Sequence, residues 1–142
     1  MKRYFSNPLT RWLLAPPREP VTALRVVGWW ELRRIPYNLV IGVFGVFSFA
    51  IFATSIYSSG HLQPGEDAVE PFALLLAPIA ANIGYTAGWL VDAPLRFIRP
   101  TLSPGFTPVL FTIGLVFSLL VISAPAVLWG GYRLFQLLHI AR

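Results

Sequence analysis

Residues 29–57 read WWELRRIPYNLVIGVFGVFSFAIFATSIY: two tryptophans, a glutamate and an arginine pair, then no charge at all from Tyr37 to Tyr57. A bilayer core of ~30 Å is crossed by about 20 residues rising 1.5 Å each, and the uncharged stretch has that length. Outward from it, Pro71 to Val91 and Phe106 to Tyr132 meet the same test. Lipid offers no partner to a free backbone N–H or C=O, and the stretches are too long for barrel strands, so each is expected to be helical. The expected fold is all-α: an integral membrane protein with three transmembrane helices (37–57, 71–91 and 106–132) and a short C-terminal tail. The third stretch exceeds a crossing, which implies tilt or an end in the interface. Pro78 and Pro125 lie inside the second and third spans, where each removes a backbone donor and should bend the helix. Pro71 and Pro108 fall near helix starts, where proline is harmless.

The composition agrees with this reading. Of 142 residues 56% are hydrophobic and 12% charged, far below the roughly 25% charge of a soluble fold. The net charge of +5 sits beside apolar segments, which favours anionic lipid over nucleic acid as counter-charge. Cysteine is absent, removing disulfides and thiolate metal sites from consideration. Lys2 and Arg3 are followed by Arg11, Pro16, Pro17 and Arg18, so no cleaved signal peptide is expected. Arginine outnumbers lysine ten to one, a coding bias of GC-rich bacteria, and the expected location is a bacterial inner membrane.

Orientation follows from the loops. Lys2, Arg3, Arg11, Arg18, Arg25, Arg33 and Arg34 precede the first span, whereas residues 58–70 carry Glu66, Asp67 and Glu70 and nothing basic. The N-terminus is therefore expected in the cytoplasm. Arg96 and Arg99 fit a second cytoplasmic loop, and Arg133 and Arg142 in the outer tail run against the rule. Residues 1–36 form a cytoplasmic region without a core of their own: an extended arm over 1–20, then a short interfacial helix within 21–35 ended by Pro36. Placed at 100° intervals, that segment is apolar on all sides, so it lacks a clean amphipathic face.

Three readings of the WWELRR segment compete. Tryptophan and arginine suit the headgroup layer, but Glu31 would be repelled by anionic lipid. Covered by protein, Trp29, Trp30, Glu31, Arg33 and Arg34 become a docking patch for another chain, since Trp and Arg are enriched at interface hot spots. General acid catalysis by Glu31 lacks a neighbouring His, Ser or second carboxylate. Arg25, Arg96 and Arg99 are assigned to lipid headgroups. Asp92, ahead of Pro94, is expected to cap a short interfacial helix, with Arg96 four residues on as its ionic partner.

Trp30-Glu31-Leu32-Arg33-Arg34-Ile35-Pro36-Tyr37-Asn38, with Ala81-Asn82-Ile83-Gly84-Tyr85-Thr86, Gly88 and Asp92, resembles a pattern in uncharacterised small bacterial multi-pass membrane proteins. The resemblance implies a shared membrane architecture in which the Trp-Glu-Arg-Arg and Asn-Tyr elements meet, and no activity or ligand.

On the second span, Asn82 is mid-helix, where an unpaired amide is costly, so a hydrogen bond to another helix or to water is expected, with the interhelical bond as the main reading. A ligand contact to a quinone carbonyl or pigment is the alternative. Ala77, Ala81, Asn82, Gly84, Tyr85 and Gly88 are expected to form the packing face, Gly84 and Gly88 giving a GxxxG. Gly42, Gly45, Gly114 and Ser118 would supply opposing grooves, and Phe44, Phe47, Phe49, Phe52, Phe111 and Phe117 would meet lipid or a neighbour.

None of the three spans contains an ionisable Asp, Glu, Lys, Arg or His, which argues against transport. His61 and His139 stand alone, and Glu66, Asp67 and Glu70 read as a solvated loop. The sequence points to a non-catalytic accessory or scaffolding subunit of a respiratory or photosynthetic assembly, with other membrane subunits and lipids as partners. A subunit holding quinone, carotenoid or chlorophyll, and a small enzyme or transport component borrowing residues from a partner, are the alternatives.

Overall fold

A computed structural model of the chain describes residues 7–58, 65 and 71–140, with backbone only at 71–75 and 140. His61, Glu66, Asp67 and Glu70, like Lys2, Arg3 and Arg142, lie outside the described residues. Among the described residues every regular element is helical: α1 (Pro8–Leu14), α2 (Ala23–Tyr57), α3 (Pro71–Ile98), α4 (Phe106–Pro125), a π-helical turn (Ala126–Gly130) and α5 (Gly131–Ile140).

The arm is not extended throughout. Asn7 accepts the Leu9 N–H through its side chain at 3.0 Å, and Pro8 occupies the first helical position. An N-cap and a proline whose φ is already helical start a helix readily, and Pro16 and Pro17 follow its end. Thr22 opens α2 in a similar way, its hydroxyl accepting the Arg25 N–H at 3.4 Å.

The segment expected as a separate helix ended by Pro36 is instead the start of α2, which runs unbroken for 35 residues through that proline. The carbonyl of Leu32 loses its helical donor there. Trp29, Trp30 and Arg33 before it and Tyr37 after it are all buried, and their packing holds the helical path. The helix α3 likewise passes through Pro78 and Pro94. Asp92 is thus an interior helical residue and not a cap. Pro125 does mark a change of geometry: the regular helix gives way to the π turn directly after it, a frequent accommodation of a missing donor.

Two helical segments are long and apolar enough to cross a membrane, Ala23–Tyr57 with 35 residues and Phe106–His139 with 34. Only 11% and 6% of their most apolar stretches are buried by the rest of the chain. Both exceed the ~30 Å hydrocarbon depth by a wide margin at 1.5 Å per residue.

The chain divides into two compact units. The first comprises Met1–Tyr37 and Asn82–Val116. Its centre is Phe111, 1% exposed, which meets Trp29 and Trp30 edge-on at 5.7 Å each and Tyr85 at 6.3 Å. Trp30 meets Tyr85 at 5.3 Å and Tyr37 meets Tyr85 at 4.6 Å. Edge-to-face pairs contribute about 0.5–1.5 kcal/mol each beyond area burial. Trp30 reaches Asp92 while Tyr37 reaches Tyr85, so α2 and α3 run antiparallel in this unit.

The second unit comprises Asn38–Ala81 and Phe117–Arg142. Gly45 faces Ile122, Ile51 faces Gly130, Phe52 packs edge-on against Trp129 at 5.3 Å, and Arg133 donates to the Ser58 carbonyl at 2.8 Å. The pairs advance together along both partners, so α2 is parallel to the chain from α4 to α5 here.

Candidate functional site

The WWELRR segment is one and a half turns of α2 that point in several directions, which explains why no amphipathic face is visible in it. Leu32 faces outward, while Arg33, Arg34 and Trp30 each close on a different part of the first unit.

Arg33 turns toward the end of α1. Its Nε donates to the Leu13 carbonyl at 2.7 Å, its Nη2 donates to the carbonyls of Trp12 and, at 3.4 Å, Ala15, and its Nη1 returns to Trp29 O at 3.2 Å. The guanidinium lies 3.8 Å from the Trp29 ring centroid and 4.6 Å from that of Trp12. Trp29 adds a hydrogen bond from Nε1 to Ala15 O at 2.7 Å. The final carbonyls of a helix have no intrahelical donor and carry partial negative charge. A buried arginine without a carboxylate partner is accommodated by those carbonyls and two indole faces.

Arg34 turns toward α3. Its Nε and Nη2 grip Glu31 at 2.9 and 2.7 Å, a bidentate pair, while Nη1 donates to Asn82 Oδ1 at 3.3 Å and Nη2 to Thr86 Oγ1 at 3.2 Å. The guanidinium also sits 5.0 Å from the Tyr85 ring centroid, and the Tyr85 hydroxyl donates to the Trp30 carbonyl. The two sequence elements of the quoted pattern therefore meet, and Asn82 forms the interhelical hydrogen bond expected of it.

Trp30 leads to the third cluster. Its Nε1 donates to Asp92 Oδ2 at 3.1 Å, and Asp92 Oδ1 accepts from Arg96 Nε at 3.0 Å. Asp92 is completely buried and the Arg96 side chain is 5% exposed. Arg96 continues to the carbonyls of Leu102 and Ser103 at 3.3 Å each and to Thr107 Oγ1 at 2.8 Å. The spacing of four correctly paired Asp92 with Arg96. The pair clamps the end of α3, the turn after it and the first turn of α4 together, and both carboxylate oxygens are engaged.

Several expected assignments change. Trp29, Trp30 and Arg33 are buried inside their own chain, so they are not a surface for a partner; their donors are used on Ala15, Asp92 and the α1 carbonyls. Glu31 and Arg34 remain partly exposed, with side chains at 46% and 28%, but they are bound to each other and to α3. Arg96, expected at lipid headgroups, points inward onto the buried carboxylate of Asp92 four residues before it. Arg25 is exposed and donates to Glu19 O at 2.7 Å and Pro20 O at 3.3 Å, and Arg99 is exposed.

The GxxxG splits: a Cβ on Gly88 would lie 2.6 Å from Trp30 Cη2, whereas Gly84 faces open space. The glycine thus admits an indole ring, not a helix backbone. Ala77 is exposed, while Ala81 and Tyr85 lie inward. A Cβ on Gly45 would meet Ile122 Cδ1, whereas one on Gly42 or Gly114 would meet no atom within 4 Å. Phe111 is the largest correction, being the centre of the aromatic cluster; Phe44, Phe47, Phe49 and Phe117 are exposed. Thr107, fully buried, carried no signal that its sequence neighbours lacked.

Among the described residues no group of three or more His, Asp or Glu is placed to hold a metal ion. No protein-family model matches the chain, and neither a curated protein nor a solved structure is similar to it.

Proposed function

We propose that the chain is a three-span subunit of a bacterial inner membrane, with its N-terminus in the cytoplasm, that serves a larger membrane complex as a non-catalytic accessory or scaffold. The observation carrying this reading is the pairing of extreme apolarity with exposure in the two long helical segments, 11% and 6% buried. A core helix of a soluble protein is covered by its own chain; these need lipid or other membrane proteins around them. The helix α3, at 28 residues, has the length of a third crossing, with Asp92 and Arg96 toward its end. The opposed directions of α2 and α3 in the first unit, and the parallel course of α2 and α4 in the second, suit three alternating crossings. The basic N-terminal region supports the cytoplasmic assignment.

Arg33, Arg34, Asp92 and Arg96 are engaged within the first unit, which leaves the exposed flanks of α2 and α4 as the contact surface. Val43, Phe47, Ile113, Phe117 and Leu120 are all more than half exposed. The deciding experiment is mild detergent extraction of the tagged chain, with photocrosslinkers at Phe47 and Phe117, followed by mass spectrometry. Reproducible crosslinks to respiratory, photosynthetic or other membrane subunits are expected. Crosslinks to lipid alone, with a monodisperse isolated chain, would reject the scaffold role.

A further inference from the structure

Within α1, residues at 100° spacing place Leu9, Trp12 and Leu13 on one arc and Arg11 on the opposite side. Leu9 is 63% and Trp12 43% exposed, and Arg11 and Arg18 are exposed as well. One face of the Trp12 ring is covered by Arg33, so the rest of that arc is what the short helix presents outward. Four hydrogen bonds from Arg33 and Trp29 hold the carbonyls of Trp12, Leu13 and Ala15, giving a seven-residue helix a fixed seat that its own propensity would not.

From this geometry we infer that α1 is an in-plane membrane-surface helix, seated by Arg33, that sinks Leu9 and Trp12 into the headgroup boundary and sets Arg11 and Arg18 against anionic lipid phosphate. The inference rests on the membrane reading above. Indole rings favour the headgroup level, and basic side chains beside them meet lipid anions while their stems lie on apolar surface. Arg11, Arg18 and Arg25 outweigh Glu19 in this stretch, so the charge is complementary to an anionic leaflet. Seven residues are too few to bind lipid alone with any strength. The guanidinium seat supplies what length does not, since a helix already held at the surface loses little freedom on insertion.

The chain has no cysteine, so a single Leu9→Cys carrying an environment-sensitive dye reports on this site in the full-length protein. It is reconstituted in vesicles of phosphatidylglycerol and phosphatidylethanolamine containing shallow nitroxide lipids. Phe47→Cys, labelled in the same way, serves as the control for membrane residence. The expected result is a blue-shifted, nitroxide-quenched dye at both positions, protection of position 9 from aqueous iodide, and loss of that protection when Arg33→Ala is added.

Iodide access at position 9 with position 47 protected would overturn the inference and leave the membrane reading intact. Iodide access at both would overturn both. Unchanged protection of position 9 in the Arg33→Ala background, with α-helical circular dichroism retained, would overturn the seating role of Arg33. Quenching that persists in vesicles of zwitterionic lipid alone would overturn the part played by anionic lipid.

Discussion

The two units of the chain are built by opposite chemistries. The first is closed by directional contacts: the ion pair of Asp92 with Arg96, the bidentate grip of Arg34 on Glu31, the seat of α1 on Arg33, and rings meeting edge-on. The second is closed mainly by shape, with Ile122 against Gly45, Ile51 against Gly130 and Phe52 against Trp129. Directional contacts fail completely when one member is removed, because a polar group is then stranded away from water. Contacts of shape fail by degrees, because aliphatic chains shift to fill or vacate space. Substitutions in the first unit should therefore be far more damaging than equally small ones in the second.

The largest effect is expected at the buried pair. Asp92→Ala leaves the Arg96 guanidinium without its counter-charge and Trp30 Nε1 without its acceptor. Removing one member of a buried pair costs about 3–5 kcal/mol, whereas replacing both by apolar residues of similar volume is often tolerated. The expected order of stability in a denaturant titration of the detergent-solubilised chain is wild type first, Asp92→Leu with Arg96→Met below it because Trp30 Nε1 still loses its acceptor, and Asp92→Ala lowest. Ile122→Val in the second unit should lose only about 0.5–1.5 kcal/mol. Equal losses at Asp92 and Ile122 would erase the contrast between the units.

An intermediate effect is expected at Gly88. An added methyl meets Trp30 Cη2, Cζ3 and Cζ2 at 2.6, 2.9 and 3.2 Å, and that indole is rigid, buried and tied to Asp92. Gly88→Ala should cost about 1–3 kcal/mol, the range for overpacking, and should alter the tryptophan emission. Gly84→Ala meets nothing within 4 Å and should leave stability unchanged or slightly raised, since alanine is the better helix former. The same titration separates the two glycines that the GxxxG reading treats as equivalent.

The helical stretches were legible because long uncharged runs have few alternatives. The pairing of Asp92 with Arg96 and of Asn82 with another helix was legible because a polar group in apolar surroundings must find a partner. What sequence could not tell was which apolar side faces inward. Helices apolar all round carry no 3.6-residue signal, so Phe111 at the centre of a ring cluster and Phe117 on an exposed flank read alike. The arginines were misread for a related reason: charge near the end of an apolar run has two good environments, a headgroup layer or a buried partner. For Arg33 and Arg96 the choice depended on α1 carbonyls and an α3 carboxylate whose positions only the fold supplies. Pro36 was read as a stop from backbone chemistry alone, and the packing of Trp30, Arg33 and Tyr37 around it overrides that preference.

The smallest effects test the forgiving character of the second unit from within. A methyl on Gly45 would stand 2.9 Å from Ile122 Cδ1 and 3.7 Å from its Cγ1, and one on Gly130 would stand 2.9 Å from Ile51 Cγ2. The two clashes are equal in distance but not in consequence. Cδ1 is the free end of its side chain and moves by rotation about χ2 alone. Cγ2 is bonded directly to the branched Cβ and moves only with χ1, which is stiff for a β-branched residue in a helix. Gly45→Ala should therefore change stability by no more than about 0.5 kcal/mol, as a tolerated substitution does, and Gly130→Ala should cost measurably more. Should Gly45→Ala prove as damaging as Gly88→Ala, the second unit is as unyielding as the first, and the freedom of an aliphatic chain end does not distinguish them.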